Sequence, residues 1–179
     1  MKSLPLAVGV FALLTFASTT APAAEVTVRG VHLCCVTCVK AVTTALAAVD
    51  GVSDAACDRR AQAVTFSAAG DKAALAGVNA LAAAGFHGTA THAGREVHFP
   101  PSGAKPGDRA DAVTITGVHL CCGACVKAAE TAVFGAVAGV QVVANRKTGT
   151  LTVTGNRVAV VAVVTALNKA GFHGTVKQP

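Results

Sequence analysis

One stretch of this chain occurs twice. Residues 26–41, VTVRGVHLCCVTCVKA, and 113–128, VTITGVHLCCGACVKA, agree at twelve of sixteen positions, and AGFHGT recurs intact at 84–89 and 170–175. The sequence is therefore two copies of one unit, and a single fold must satisfy both within 179 residues. Between the copies, 92–112 carries Pro100, Pro101 and Pro106 with Gly94, Gly103 and Gly107. That composition reads as a linker propagating neither helix nor sheet, which leaves the two units mutually mobile. The expected boundaries are a first domain at 25–91, the linker at 92–112 and a second domain at 113–179.

Each copy reads as the same string of elements. Val26 and Val28 alternate with Thr27 and Arg29, as Val113 and Ile115 do with Thr114 and Thr116, which is the period of a half-buried strand. After the cysteine loop, Val39, Val42, Leu46 and Val49, or Val126, Ala129, Val133 and Val137, fall at helical spacing, and each helix stops near Gly51 or Gly139. Short strands at 53–58 and 64–67, and at 140–145 and 150–154, flank polar turns. Asp71 and Asn156 are N-cap candidates for a second helix carrying Leu75, Val78 and Leu81, or Val161, Val164 and Leu167, and Gly85 or Gly171 ends it. A last strand closes each unit. The order βαββαβ predicts an α+β fold of two ferredoxin-like domains, each a four-stranded antiparallel sheet with two helices on one face. Strand four then lies beside strand one, ~4.8 Å away, so His87 and His173 begin near the cysteines of their own domain.

Residues 1–24 read differently. Lys2, the apolar stretch from Leu4 to Ala17 and the small residues Ala21 and Ala23 around Pro22 form a secretory signal peptide cleaved near Ala24. The apolar run is shorter than the ~20 residues that span a bilayer, so no stable membrane anchor is expected after cleavage, and the product is periplasmic or secreted. A 4% aromatic content without Trp or Tyr argues against nucleic-acid stacking platforms. The net charge of +6, spread along the chain, suits docking on an acidic partner surface.

The chemistry lies in the loop after strand one, His-Leu-Cys-Cys-x-x-Cys. Two thiolates separated by two residues at a helix start can converge on one ion, and the free N–H groups of the first turn lower thiol pKa and favour the charged complex. Such ligands select soft ions such as copper(I), whereas zinc prefers four ligands in a tetrahedron. Cys34 and Cys121, adjacent to the CxxC pairs, are expected to point away and to serve at most as third or exchange ligands. His32 and His119 are possible ligands, or hydrogen-bond donors behind the ligands, while His87 and His173 are possible ligands or a gate, with exposed polar residues at strand starts as the alternative. Cys57, replaced by Ala144 in the second copy, reads as a small core residue, and its own role stays open. Lys40, Lys127, Arg59, Arg60, Arg146 and Lys147 form a basic rim at the same end.

The two loops resemble the heavy-metal-associated domain family of copper chaperones, of metal-transporting ATPase tails and of the periplasmic mercury-binding protein. That family carries Gly-Met-x-Cys-x-x-Cys between strand one and helix one, which aligns with 32–38 and 119–125. The resemblance implies that Cys35, Cys38, Cys122 and Cys125 are the metal ligands and that Phe86 and Phe172 cover the site. Leu33 and Leu120 stand where Met is usual, His32 and His119 where Gly is, and Cys34 and Cys121 are additional. Copper(I) is the expected ion, with zinc, cadmium or mercury(II) as alternatives, bound at two independent sites per chain. The implied role is a non-enzymatic metallochaperone or scavenger, exchanging its ion with a metal-transporting membrane protein or another metal-binding protein. A thiol-disulfide redox protein and a structural protein with its cysteines sealed as disulfides are the competing classes.

Overall fold

In this computed structural model residues 23–177 are described, so most of the expected signal segment lies outside the described residues. The first half runs β1 (Ala24–Arg29), α1 (Val36–Ala47), β2 (Val52–Asp58), β3 (Ala63–Ala68), α2 (Asp71–Ala83), β4 (Thr89–His92) and β5 (Arg95–Val97). The second runs β6 (Arg109–Thr116), α3 (Gly123–Ala136), β7 (Val140–Asn145), β8 (Thr150–Ala159), α4 (Val160–Lys169) and β9 (Thr175–Val176). The sheets are ordered β2-β3-β1-β4-β5 and β7-β8-β6-β9, all pairs antiparallel. Alternation in β1 buries Val26 and Val28 completely, opposite Phe66 and Val64 of β3. Cys38, Val42 and Leu46 of α1 and Ala74, Val78 and Leu81 of α2 complete that core.

Four expectations need correction. The first sheet has five strands, because the Pro/Gly segment carries β5, which pairs with β4 through Ala90–Val97, Thr91–Glu96 and His92–Arg95. The segment is also tied down beyond β5: Phe99 lies 4.6 Å from the His87 ring and the Val176 N–H donates to the Ser102 carbonyl at 2.8 Å. Asn156 caps no helix. It lies inside β8, where the Arg157 N–H donates to Asp111 Oδ1 at 2.9 Å and Ala159 precedes the helix. Asp71 is the first residue of α2 rather than its cap, and its carboxylate holds Arg95 and His92 of the β4–β5 hairpin. Leu75 and Val161 point outward, since starting the helices at Asp71 and Val160 turns Ala74, Val78, Leu81 and Val163, Leu167 inward.

The two halves meet through the repeated AGFHGT segments. Phe86 and Phe172 form an antiparallel bridge, in which the His87 N–H donates to the Gly171 carbonyl and the His173 N–H to the Gly85 carbonyl, both at 3.0 Å. The His32 N–H also reaches the Gly171 carbonyl, at 3.3 Å. The apolar residues of both halves join in one buried cluster. A contact in which each copy offers the same surface to the other is the intramolecular counterpart of a two-fold dimer interface.

Candidate metal centre

The loop geometry follows from a two-residue alternation. Gly30, with φ +78°, turns the chain out of β1, after which Val31 and Leu33 are buried while His32 and Cys34 face the other half. Val118 and Leu120 alternate with His119 and Cys121 in the same way. Gln62 pins the first loop from the β2–β3 turn. Its side chain accepts from the Leu33 N–H at 3.1 Å and donates to the Leu33 carbonyl at 3.2 Å, while its own carbonyl accepts from the Val31 N–H at 3.0 Å. Gly149 takes the equivalent backbone bond from Val118 at 2.9 Å but has no side chain to hold Leu120. Gln62 was not singled out in the sequence; the one available signal is its place beside Arg59 in the turn facing the loop. Arg59 donates to the Cys34 carbonyl at 2.6 Å, so at least this member of the basic rim reaches the loop.

Six of the seven thiols, all free, gather into one cluster. Within each loop, Cys35 and Cys38 stand 3.8 Å apart and Cys122 and Cys125 3.7 Å apart, sulfur to sulfur. Cys34 is 3.7 Å from Cys38, and also 3.5 Å from Cys122 and 3.3 Å from Cys125. Cys121 is 3.6 Å from Cys125, 3.5 Å from Cys35 and 3.6 Å from Cys38. The Cys38 and Cys125 sulfurs are 3.9 Å apart across the interface.

These distances revise two expectations. Cys34 and Cys121 are not turned away from the site. Cys35 is extended, with φ −148° and ψ 172°, so neighbouring side chains leave the backbone on opposite sides. The side that Cys34 takes is where the other half's CxxC pair stands. For the same reason the two loops do not form separate sites: each extra cysteine bridges into the opposite loop.

The electrostatics set Cys35 and Cys122 apart from Cys34, Cys121 and Cys125. The Cys38 N–H beside the Cys35 sulfur, at the open start of α1, is the main influence holding that thiol down at about 6, with the Cys121 thiol and the Thr37 N–H adding to it. Cys122 is lowered in the same way, first by the Cys125 N–H. Burial pushes Cys34, Cys121 and Cys125 up, because a thiolate there has little water to solvate it. Two thiols held down at the helix starts, beside others that ionise once a cation arrives, suit capture of a positive ion.

The histidines separate into two groups. His32 offers a nitrogen within 4.8 Å of the Cys34 and Cys125 sulfurs. Its ring stacks on Phe172 of the other half at 4.4 Å, and His119 pairs with Phe86 at 4.4 Å. The Nε2 atoms of both are buried without a hydrogen-bond partner among the described residues. Phe86 and Phe172 thus back the histidines of the opposite loop rather than lidding their own. His87 and His173 lie face to face at 6.0 Å, beside Phe99, and join none of the groups of converging ligand atoms. Cys57, on the edge strand β2, also stays outside the cluster.

Six sulfurs with a ring nitrogen of His32 nearby are a donor set that suits a soft metal ion better than a hard cation, which prefers oxygen. No curated protein and no solved structure matched the chain. Residues 25–87, which include Cys34, Cys35 and Cys38, match the family model of the heavy-metal-associated domain, and the cysteine groups at this site could hold a metal ion.

Proposed function

We propose that the protein is an exported metallochaperone or scavenger that carries copper(I) on the thiolates of its two Cys-Cys-x-x-Cys loops and passes it to a partner by ligand exchange. The observation that carries this is the convergence of sulfurs from Cys34, Cys35, Cys38, Cys121, Cys122 and Cys125 at 3.3–3.9 Å. A ligand set of thiolates alone selects copper(I) over divalent hard ions, and the cysteine at each helix start, its thiol held down by the free N–H groups there, is the natural entry point for exchange. Arg59, Arg60, Lys40, Lys127, Arg146 and Lys147 supply a basic surface at this end for an acidic docking partner, such as a metal-transporting membrane protein. The reading of residues 1–24 as a signal peptide supports an exchange outside the cytoplasm.

Elemental analysis of the protein purified anaerobically after export, followed by competition with a copper(I) chelator and with zinc(II), tests the proposal. Copper should be retained against the chelator and lost in the double variant Cys35→Ser, Cys122→Ser. Retention of zinc in preference to copper, or no metal at all with fully reduced thiols, would refute it.

A further inference from the structure

The six sulfurs have the connectivity of an octahedron. Nine sulfur–sulfur distances fall between 3.3 and 3.9 Å. Cys34–Cys35, Cys35–Cys122 and Cys121–Cys122 lie within 4.8 Å. Cys34–Cys121, Cys35–Cys125 and Cys38–Cys122 are not among these twelve close pairs and have no residue in common, so every sulfur has four close neighbours within the set. Three triangles of converging sulfurs are Cys34–Cys35–Cys122, Cys35–Cys38–Cys121 and Cys121–Cys122–Cys125. A fourth, Cys34–Cys38–Cys125, has sides of 3.7, 3.3 and 3.9 Å. These are alternating faces: no two share an edge, and each sulfur belongs to two.

Building on the copper(I) reading, we propose that both loops together hold one tetranuclear copper(I) cluster, one ion in each of these four faces, with every thiolate bridging two ions. Size supports it. With a metal–sulfur bond of ~2.3 Å, sulfurs around a trigonal ion stand about 4.0 Å apart and those around a linear ion about 4.6 Å. The nine edges of 3.3–3.9 Å need to open by about 0.1–0.7 Å for the first and by about 0.7–1.3 Å for the second. A single ion at the centre would face six sulfurs at once, a coordination number foreign to soft low-coordinate metals. Charge supports it as well. Cys38 and Cys125 are fully buried, and six crowded thiolates with two monovalent ions would keep four uncompensated charges, whereas four ions leave two. The extra cysteine of each loop supplies what a CxxC pair lacks, because every one of the four faces contains Cys34 or Cys121.

The test is anaerobic titration of the reduced full chain with copper(I), read by native mass spectrometry and by copper X-ray absorption. The four-copper form should grow in without accumulation of one- to three-copper forms, and the absorption spectrum should show a copper–copper vector at two-thirds of the opened edge, about 2.7 Å. Cys34→Ser keeps both CxxC pairs and should fall from four ions to two or fewer, and Cys121→Ser repeats the measurement independently from the other loop. Two ions filled independently with no copper–copper vector, or four ions retained in both serine variants, would overturn the cluster and leave copper carriage standing. Failure of the wild-type chain to take copper(I) from a weak chelator would overturn the copper reading itself.

Discussion

Adding one methyl group at Gly171 should pull the two halves apart. Gly171 has φ +86°, and a Cβ there would stand 2.3 Å from the His32 nitrogen and 2.5 Å from the Gly30 carbonyl oxygen. Gly85 is its counterpart, with φ +86° and a Cβ position 2.3 Å from the His119 nitrogen. All of these atoms are backbone of the opposite half, so no side chain can move aside. Within its own half Gly171→Ala costs about 1–2 kcal/mol for the left-handed backbone. Across the interface it threatens the three backbone bonds His32 to Gly171, His87 to Gly171 and His173 to Gly85. At about 0.5–1.5 kcal/mol each, with a similar amount for each His–Phe ring pair, the docking at stake is on the order of 3–7 kcal/mol. Small-angle X-ray scattering reads the outcome. The docked chain should show a radius of gyration of about 15 Å, and Gly171→Ala or Gly85→Ala should raise it by several ångström while far-UV circular dichroism stays unchanged. An unchanged radius in both variants, with secondary structure intact, would show that the AGFHGT contact does not hold the halves together.

Burial, then the neighbouring His173, holds His87 down at about 4, and burial also lowers His32, His119 and His173. Because the folded value lies below the ordinary 6.5, stability is complete above that pH and is lost as pH falls towards 4; the urea midpoint of the metal-free protein should drop between pH 7 and pH 4.5, and less so in His87→Gln. Gln62→Gly reproduces the Gly149 arrangement of the second half and relieves a positive φ of 50°, yet removes the two bonds to Leu33; amide exchange at Leu33 should quicken while exchange at Leu120 does not change. Leu46→Ala, at a fully buried site of α1, should cost about 2–5 kcal/mol in denaturant unfolding. Cys57→Ser should leave the metal stoichiometry of the chain unaltered by native mass spectrometry, since Cys57 stands apart from the cluster.

Much of this architecture is legible in the sequence because its signals are local. Two-residue alternation marks β1 and β6, the spacing of Val42 and Leu46 marks α1, and the order of elements yields the strand neighbours without further information. Errors fall where local signals compete. Asn156 has the chemistry of a cap, but Asp111 holds the adjoining backbone in strand; Leu75 and Val161 are apolar, but the observed caps are Gly70, one residue before the expected Asp71, and Ala159, three residues after the expected Asn156, and the helices bury Ala74, Val78 and Leu81, or Val163 and Leu167, instead. β5 escapes notice because three paired residues beside several prolines leave no periodicity. The site itself is legible residue by residue and illegible as an assembly. That Cys34 meets Cys125 depends on docking between segments 91 residues apart, which no spacing rule within one loop encodes. The clue available was that the intact hexapeptide and the cysteine loop are the best-matched parts of the repeat, as expected of surfaces that must fit each other.

The sharing of one soft-metal centre by both loops is best tested with cadmium-113, which serves as a magnetically active soft-ion probe for thiolate ligands. In a cadmium–proton correlation spectrum of the reduced full chain, a single cadmium resonance should couple to β-protons of cysteines from both loops, Cys34 together with Cys122 or Cys125, and Cys121 together with Cys35 or Cys38. Cadmium resonances that each couple only to cysteines of one loop, in a chain whose proton spectrum is that of a folded protein, would contradict the shared centre.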